Sequence, residues 1–591
     1  MKGPAPLTRR PDEPQNRREE PAVTDDVTGA PHLESVLRAA PAHPVALGRD
    51  DLVLRKGQLT LLNGHATPRE SMIEDLFFIA DTLEAAGVRF LLVRGNDERP
   101  VLAVDWAHRK RARTALIEAM AEEPFYAKSP GSPAVLVADG KLARDPKTRV
   151  LRLYRPRIEP IGRLRYGVES AVQLEFWQRD GDVVEAPQEN SLTRRTIPAD
   201  EMVETSVDLY GRTWATIEGM FTTLASDVGF EIDMVFSWVD GTAIEFQRAR
   251  AKRMASYVVG DGDDSEARYR QIDELKYALR SVYMFAPWVR RIFIATDSPK
   301  PAWLADDPRV TIMPSEKFFK NLSDLPTHNS HAVEAQLHRI PGISEHFLYS
   351  NDDMFFGRPV SPDLFFSPGG ITKFVEADTR IGLGGNALHR SGFENAARVN
   401  RELLQNRFGR VTTRHLEHCA APLRKSVLFE MEQEFSAEFA RTAASPFRSA
   451  TDISVTNSFY HYYALMTGRA VVQTEAKVRY IETTLKVALK EMDALLKKRS
   501  MDMFCLNDGS QPELGVEERT TAVISFLERY FPFPAPWEVV SSESSSDSES
   551  PVSPVGVTRP SAPEQARAQV PAQGRPRAAS GSAAARERPA G

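Results

Sequence analysis

The sequence predicts an α/β protein built on a mostly parallel sheet, and three observations carry that prediction. From Ile232 onward, apolar runs of strand length alternate with stretches of helical period. Three of the runs stop at an acidic residue: Ile232-Asp-Met-Val-Phe-Ser-Trp-Val239 at Asp240, Val289-Arg-Arg-Ile-Phe-Ile-Ala-Thr296 at Asp297, and Glu345-His-Phe-Leu-Tyr-Ser350 at Asn351-Asp352-Asp353. Alternation of this kind implies right-handed crossovers, which bring the carboxyl ends of the strands to one edge, where such sheets bind ligands.

The third run is the sharpest feature. Two adjacent carboxylates between apolar runs, with Met354-Phe-Phe356 following at once, cost folding energy unless something neutralises them. A divalent cation holding phosphate oxygens is the commonest such partner. The competing reading is a strand-end turn whose Asp residues cap the next element. Three acidic strand ends on one edge favour a polar site for a metal and a diphosphate.

In chain order, residues 1–45 are rich in Pro, Arg, Glu and Ala without an apolar period and are expected to be disordered. Residues 46–225 form a smaller α/β domain, with a helix over 71–86, strands over 88–93 and 101–104, and a helix over 109–121. Asp97 and Asp105 read as turn residues there. Glu175-Phe-Trp-Gln-Arg-Asp-Gly-Asp182 reads as a hairpin with an Asp-Gly turn.

The main domain spans 226–540. A helix over 269–285 presents Ile272, Leu275, Leu279 and Val282 on one face, a short strand covers 310–313, and a helix covers 330–339. After Gly370 the chain becomes more helical, with helices over 400–408, 426–441, 457–466 and 485–498, and one ending at Tyr530. The Ser-, Asp- and Pro-biased tail, 541–591, is expected to be disordered.

Basic and imidazole side chains cluster near these strands. Arg268 and Arg270 stand at a helix N-terminus, where cations are disfavoured unless an anion binds there. Lys276 and Arg291 read as solvated surface. His331 opens a helix behind Asn329 and Ser330, either of which caps it. His415-Leu-Glu-His418-Cys419 with the distant Cys505 invites a zinc reading, but no second Cys pair supports it. A base or phosphate ligand is the better use of one of these imidazoles. His461, in the aromatic helix behind Arg448 and Asp452, reads as core.

Composition excludes several classes. The 591 residues carry a net charge of −6, which does not suit a nucleic-acid binder. Two cysteines make no disulfide framework and suit a reducing compartment. No signal-peptide h-region and no window of membrane-span length is present, so the expectation is a cytoplasmic chain without a transmembrane segment. A peripheral role at the inner face of the membrane is compatible with this composition, because docking onto a partner leaves little compositional trace.

Four ordered blocks together resemble the Stealth family of sugar-phosphate transferases, which includes bacterial capsule and exopolysaccharide phosphotransferases and the catalytic part of the lysosomal-enzyme GlcNAc-1-phosphotransferase. The blocks are Ile232 to Gly241, Arg268 to Leu304, Asn329 to Gly357, and Cys505-Leu-Asn-Asp508 with the stretch from Phe526 to Trp537. His415 to Pro422 and Arg448 to Asp452 also match, and the N-terminal part looks like the extension of actinobacterial members. One departure is Gln271-Ile272, where many relatives carry Asp-Asn.

The resemblance implies a Rossmann-like or GT-A-like sheet that binds a nucleotide sugar. It implies transfer of hexose-1-phosphate, in relatives often an N-acetylhexosamine-1-phosphate, from a UDP-sugar donor to a hydroxyl of an oligosaccharide or polysaccharide acceptor, with release of UMP. Any peripheral association would then be with polysaccharide-assembly machinery. Mg2+ or Mn2+ is then expected on Asp352 and Asp353, helped by Asn507 and Asp508. Trp238, Asp240, Gly241, Arg268, Arg270, Asp297 and Asn351 are expected to bind substrate. The catalytic set is His418 as base, with His331 as its substitute, Arg448 on the phosphoryl charge, and Asp452. Two alternatives are a metal-dependent glycosyltransferase that releases UDP and a non-catalytic polysaccharide-assembly protein.

Overall fold

The computed structural model describes residues 38–39, 44–142, 147–243, 247–248, 251, 272–509 and 512–539. Almost all of the stretches expected to be disordered, and the whole of 252–271 with Arg268 and Arg270, lie outside the described residues.

Numbering elements from Ile232, the main sheet holds β1 (Ile232–Ser237), β2 (Ile292–Ala295), β3 (Val310–Met313), β4 (His346–Asn351) and the antiparallel edge strand β5 (Ala421–Arg424), in spatial order β3-β2-β1-β4-β5. The first four are parallel. Successive side chains point to opposite faces, so Met234, Phe236 and Leu348 enter one core while Val235, Phe347 and Tyr349 enter the other. Burial on both faces is what makes these strands read as continuous apolar runs.

The order places the first strand in the middle. From β1 the chain builds outward through β2 and β3, then returns to add β4 on the other side. The reversal lies between β1 and β4, where Ser237 pairs with Asn351. Open α/β sheets bind ligands in the crevice at such a point.

Helix α1 (Glu274–Phe285) packs on the first face and begins later than its period predicts. Asp273 adopts a left-handed conformation and ends the helix there. Arg280 of this helix is buried, and its fork meets both oxygens of Glu538 at 2.7 Å. That pair fixes the chain after the last helix against the sheet.

Other helices differ from their predicted spans. The expected helix at 330–339 is a five-residue helix, Ser330–Glu334, followed by a 3-10 turn, Leu337–Arg339. The one expected over 426–441 is two, Lys425–Glu434 and Ser436–Ala444, because the buried Phe435 leaves helical geometry between them. His461 is fully buried, donates from Nε2 to the Thr456 carbonyl at 2.8 Å, and is held down to about 4 by burial, as suits a core histidine.

In the N-terminal part, the long strand Val172–Asp180 pairs in parallel with Pro100–Asp105 and antiparallel with Val150–Tyr154. It turns through Gly181-Asp182 into Val183–Glu185, the expected hairpin. A second hairpin, Glu204–Leu209 with Arg212–Ile217, follows before the main domain begins. This part packs directly on the main domain: Leu164 and Tyr166 belong to the same core as Ile232 and Trp537. A Cβ at Gly162 would collide with the Arg529 carbonyl oxygen, so the backbones touch there. Among the described residues, no helix is long and apolar enough to cross a membrane.

Candidate active site

Three segments converge on the β1/β4 crevice. The first is the acidic turn itself. The chain leaves β4 at Asn351, turns through Asp352-Asp353 and continues as β6 (Met354–Phe356), which pairs antiparallel with β8 (Met503–Asn507); β8 pairs in parallel with β7 (Val478–Glu482). Register sets Met354 opposite Cys505, and the Leu506 N–H donates to the Asp353 carbonyl at 3.0 Å.

Asp352 and Asp353 are half-buried. Burial pushes both carboxyls up to about 7; the Asp353 charge adds to the effect on Asp352, and Glu274 and Asp508 add to that on Asp353. The Cys505 thiol donates to Asp353 Oδ2 at 3.4 Å, and Asp353 Oδ1 is buried without a hydrogen-bond partner among the described residues.

These carboxylates fit a divalent cation. A carboxylate pair held partly in its acid form, with one oxygen orphaned, is the arrangement that a cation relieves. Asn507 lies at the end of β8 and donates to the Tyr480 hydroxyl at 3.0 Å, which leaves its amide oxygen for other use. Asp508 fits less well, since its Oδ1 takes the Thr483 hydroxyl and its Oδ2 lies 3.7 Å from the Arg519 guanidinium. Among the described residues no three of His, Cys, Asp and Glu form a metal-holding group. Asp352, Asp353 and the Asn507 amide oxygen are the oxygen donors that would hold such a cation, with the rest of its shell left to phosphate and water.

The second segment is cationic. Asn329 caps the helix Ser330–Glu334 through its Oδ1, while its Nδ2 donates to Asp452 Oδ2 at 2.8 Å and to the carbonyls of Ser445 and Phe447. Asp452 also accepts the Ser449 N–H at 2.8 Å. Between these anchors Arg448 donates to Ser330 Oγ at 2.8 Å. His331 Nδ1 lies 3.8 Å from Asp452 Oδ2 without a hydrogen bond. His331, Arg448 and Asp452, which are far apart in sequence, thus share one cluster. Tyr349 links it to the sheet: its hydroxyl sits 2.8 Å from Ser237 Oγ and 2.9 Å from Asn351 Oδ1, within the fields of Arg448 and Asp352.

The third segment carries His418. Its ring meets Tyr480 edge to face at 5.1 Å, and Tyr480 in turn holds Asn507. Burial, then the nearby His415 and Arg448, lower the proton affinity of His418, so it is neutral at pH 7 and able to accept a proton.

The remaining predicted residues sit on the same edge but serve the backbone. Asp240 accepts the Thr242 N–H and hydroxyl, and Asp297, which is exposed, accepts the Ser315 N–H at 2.7 Å. Trp238 is buried, its indole N–H without a partner among the described residues, and Gly241 is buried too. Cys505, which the sequence offers only as a zinc candidate, stands against Asp353 instead. Tyr480, Tyr349 and Arg519 carry no such signal; each reads locally as a strand or helix residue, and only tertiary pairing brings it to the site.

Conserved regions 2, 3 and 4 of the Stealth proteins match residues 268–374, 417–465 and 493–547. The block at Ile232 to Gly241 lies outside those spans. The chain is 60% identical over 495 residues to the exopolysaccharide phosphotransferase CpsY of Mycobacterium tuberculosis, covering 83% of this chain and 93% of that one. It is 54% identical over 481 residues to an exopolysaccharide phosphotransferase of Nocardia farcinica, covering 81% and 90%. Among solved structures, the galactosyltransferase LgtC aligns with a TM-score of 0.26 and 13% identity, over 53% of this chain and 98% of that one.

Proposed function

The chain belongs to the Stealth family of transferases, and from that premise we propose that it is an exopolysaccharide phosphotransferase that moves hexose-1-phosphate from a UDP-sugar to an acceptor hydroxyl and releases UMP. The sugar unit proposed is an N-acetylhexosamine. The observation that carries the reading is the half-buried Asp352-Asp353 pair at the topological switch, with Arg448 and a neutral His418 close by.

In this reading the acceptor oxygen attacks the β-phosphorus in line, the new P–O bond forms, and the bond to the bridging oxygen of UMP breaks. The His418 ring nitrogen takes the acceptor proton, which a histidine of lowered proton affinity does near neutral pH. Arg448, fixed by Ser330 and by the Asn329–Asp452 bond behind it, presents its guanidinium to the equatorial phosphoryl oxygens. Tyr349, Ser237 and Asn351 form the hydrogen-bonded floor on which the diphosphate lies. Mg2+ or Mn2+, held by Asp352 and Asp353 with Asn507 beside them, would supply charge neutralisation of the diphosphate. His331 and Asp452 act behind Arg448 as its support.

The experiment is nucleotide release. Protein with Mg2+ or Mn2+ is given UDP-sugars and short oligosaccharide acceptors, and the nucleotides are separated by chromatography. The expected product is UMP, formed only with acceptor present and lost in Asp353→Ala. UDP would instead make the protein a glycosyltransferase.

A further inference from the structure

Beside His418 lies a cationic pocket that the transfer chemistry does not use. It is built by the glycine-rich loop 381–391 and the first turns of the helix Gly392–Phe408. Arg398 is its centre. The side chain is 5% exposed; among the described residues its Nε has no partner, and its Nη1 donates to the Glu394 carbonyl of its own helix at 2.8 Å. The nearest carboxylate, that of Glu394, stands 3.9 Å away and half in solvent.

A buried guanidinium keeps its charge, and the long ion pair to the half-exposed Glu394 offsets it only in part. Burial lowers its proton affinity, the Glu394 charge opposes that, and the charges of Arg390 and Arg401 add to the lowering. Arg390 stands just before the N-terminus of this helix, an end that favours anions. The loop covers them closely: a Cβ on Gly382 would collide with the Arg398 guanidinium. Arg401 donates to the carbonyls of Gly382 and Gly384 at 3.0 and 2.9 Å, and Arg390 to that of Gly385 at 2.6 Å. Neutral carbonyls are weaker acceptors than an oxyanion, which would displace them.

The pocket adjoins the transfer centre. Phe393 stacks on His415 at 4.6 Å and lies 6.2 Å from His418, and Asn386 Nδ2 donates at 2.7 Å to the carbonyl of Ala450, two residues beyond Arg448.

We propose that Arg390, Arg398 and Arg401, under the loop 381–391, form a subsite that binds a phosphodiester of the acceptor chain. This rests on the phosphotransfer reading above. Each transfer in that reading leaves a phosphodiester inside the product, and a product that accepts the next unit carries that anion behind its accepting hydroxyl. The two free oxygens of a phosphodiester match the donor fork of an arginine.

The test is calorimetric titration of the full chain with saturating UDP present, using two probes: a pair of hexoses joined by one phosphodiester, and the neutral disaccharide of the same sugars. The charged probe is expected to bind about tenfold tighter at low salt, an advantage that shrinks as salt rises. Arg398→Gln should cut the advantage below about twofold. If that variant does not fold, Arg390→Gln should cut it by at least about threefold. Equal binding of the two probes by the wild type, loss of the charged probe's binding when UDP is added, or an undiminished advantage in the folded variants would overturn the subsite. No turnover enters the titration, so failure of the transfer reading in the nucleotide assay is a separate result.

Discussion

Cys505 Sγ donates to Asp353 Oδ2 across 3.4 Å, while the other oxygen of that carboxylate has no partner among the described residues. A thiol is a weak donor, so Asp353 gains little from it. The carboxylate is left short of hydrogen bonds, beside the like charge of Asp352. That deficit has measurable consequences for stability.

Both carboxyls are raised from 3.8 to about 7 in the fold. A raised acid favours the folded state while it holds its proton, so the protein is most stable below about pH 4 with respect to this pair and loses stability as pH rises toward about 7. Thermal melts in chelator should show that fall. Mg2+ or Mn2+ should restore more stability at pH 8 than at pH 5, and Asp353→Asn should flatten the pH dependence. An Asp353→Asn melt as steep in pH as the wild type's would place the titration elsewhere.

His418 and Tyr480 act together in the site. His418→Ala should lower kcat by about 10²- to 10⁴-fold, as loss of a general base does. The acid limb of kcat/KM should fall below the ordinary histidine value of 6.5, because burial and the charges of His415 and Arg448 favour neutral imidazole. Tyr480→Phe keeps the ring against His418 but removes the acceptor for Asn507. It should therefore raise the metal concentration needed for half activity and leave the acid limb in place. Stopped metal titrations at several pH values check both.

Asn329 is expected to matter without touching substrate. Asn329→Ala removes three donations that tie Asp452 and the carbonyls of Ser445 and Phe447 together. The cost should be about 1 to 3 kcal/mol of stability, since a buried carboxylate loses a partner. Arg448 should drift, with a fall of about tenfold or more in kcat. Denaturant melts and steady-state kinetics on the same variant read the two effects.

Arg280 and Glu538 form a buried bidentate pair, with Lys276 Nζ 3.7 Å from the same carboxylate. Glu538→Gln leaves the arginine charge buried and should cost about 3 to 5 kcal/mol. Limited proteolysis should then find cleavage after Tyr530, where the last helix ends. A variant as resistant as the wild type would mean that the final segment is held by its aromatic packing alone.

Much of this site is legible in the sequence because its main strands are buried on both faces. Ile232–Ser237 and His346–Asn351 appear as apolar runs with abrupt polar ends, and those ends mark the crevice. Asp352 and Asp353 stand out for the same reason. Asp240 and Asp297 share the pattern, yet their carboxylates cap turns, since the short-range need of a turn and the need of a ligand site select the same residue. What a linear reading does not supply is register. Cys505 meets Asp353 from 152 residues away, and Tyr480 reaches His418 only because β7 lies beside β8. The break at Phe435 is similarly tertiary: a helical period runs through it, and packing of the ring decides otherwise.

The central claim is that the bond broken lies between the β-phosphorus and the oxygen of UMP rather than at the sugar carbon. The most direct measurement places oxygen-18 in the donor at the bridge between the anomeric carbon and the β-phosphorus, runs a single turnover with acceptor and metal, and finds the label by mass spectrometry. Phosphotransfer predicts the label in the glycan product, within its new phosphodiester, and unlabelled UMP. Label recovered in UDP, with none in the glycan, would mean that the carbon–oxygen bond breaks and would contradict the account.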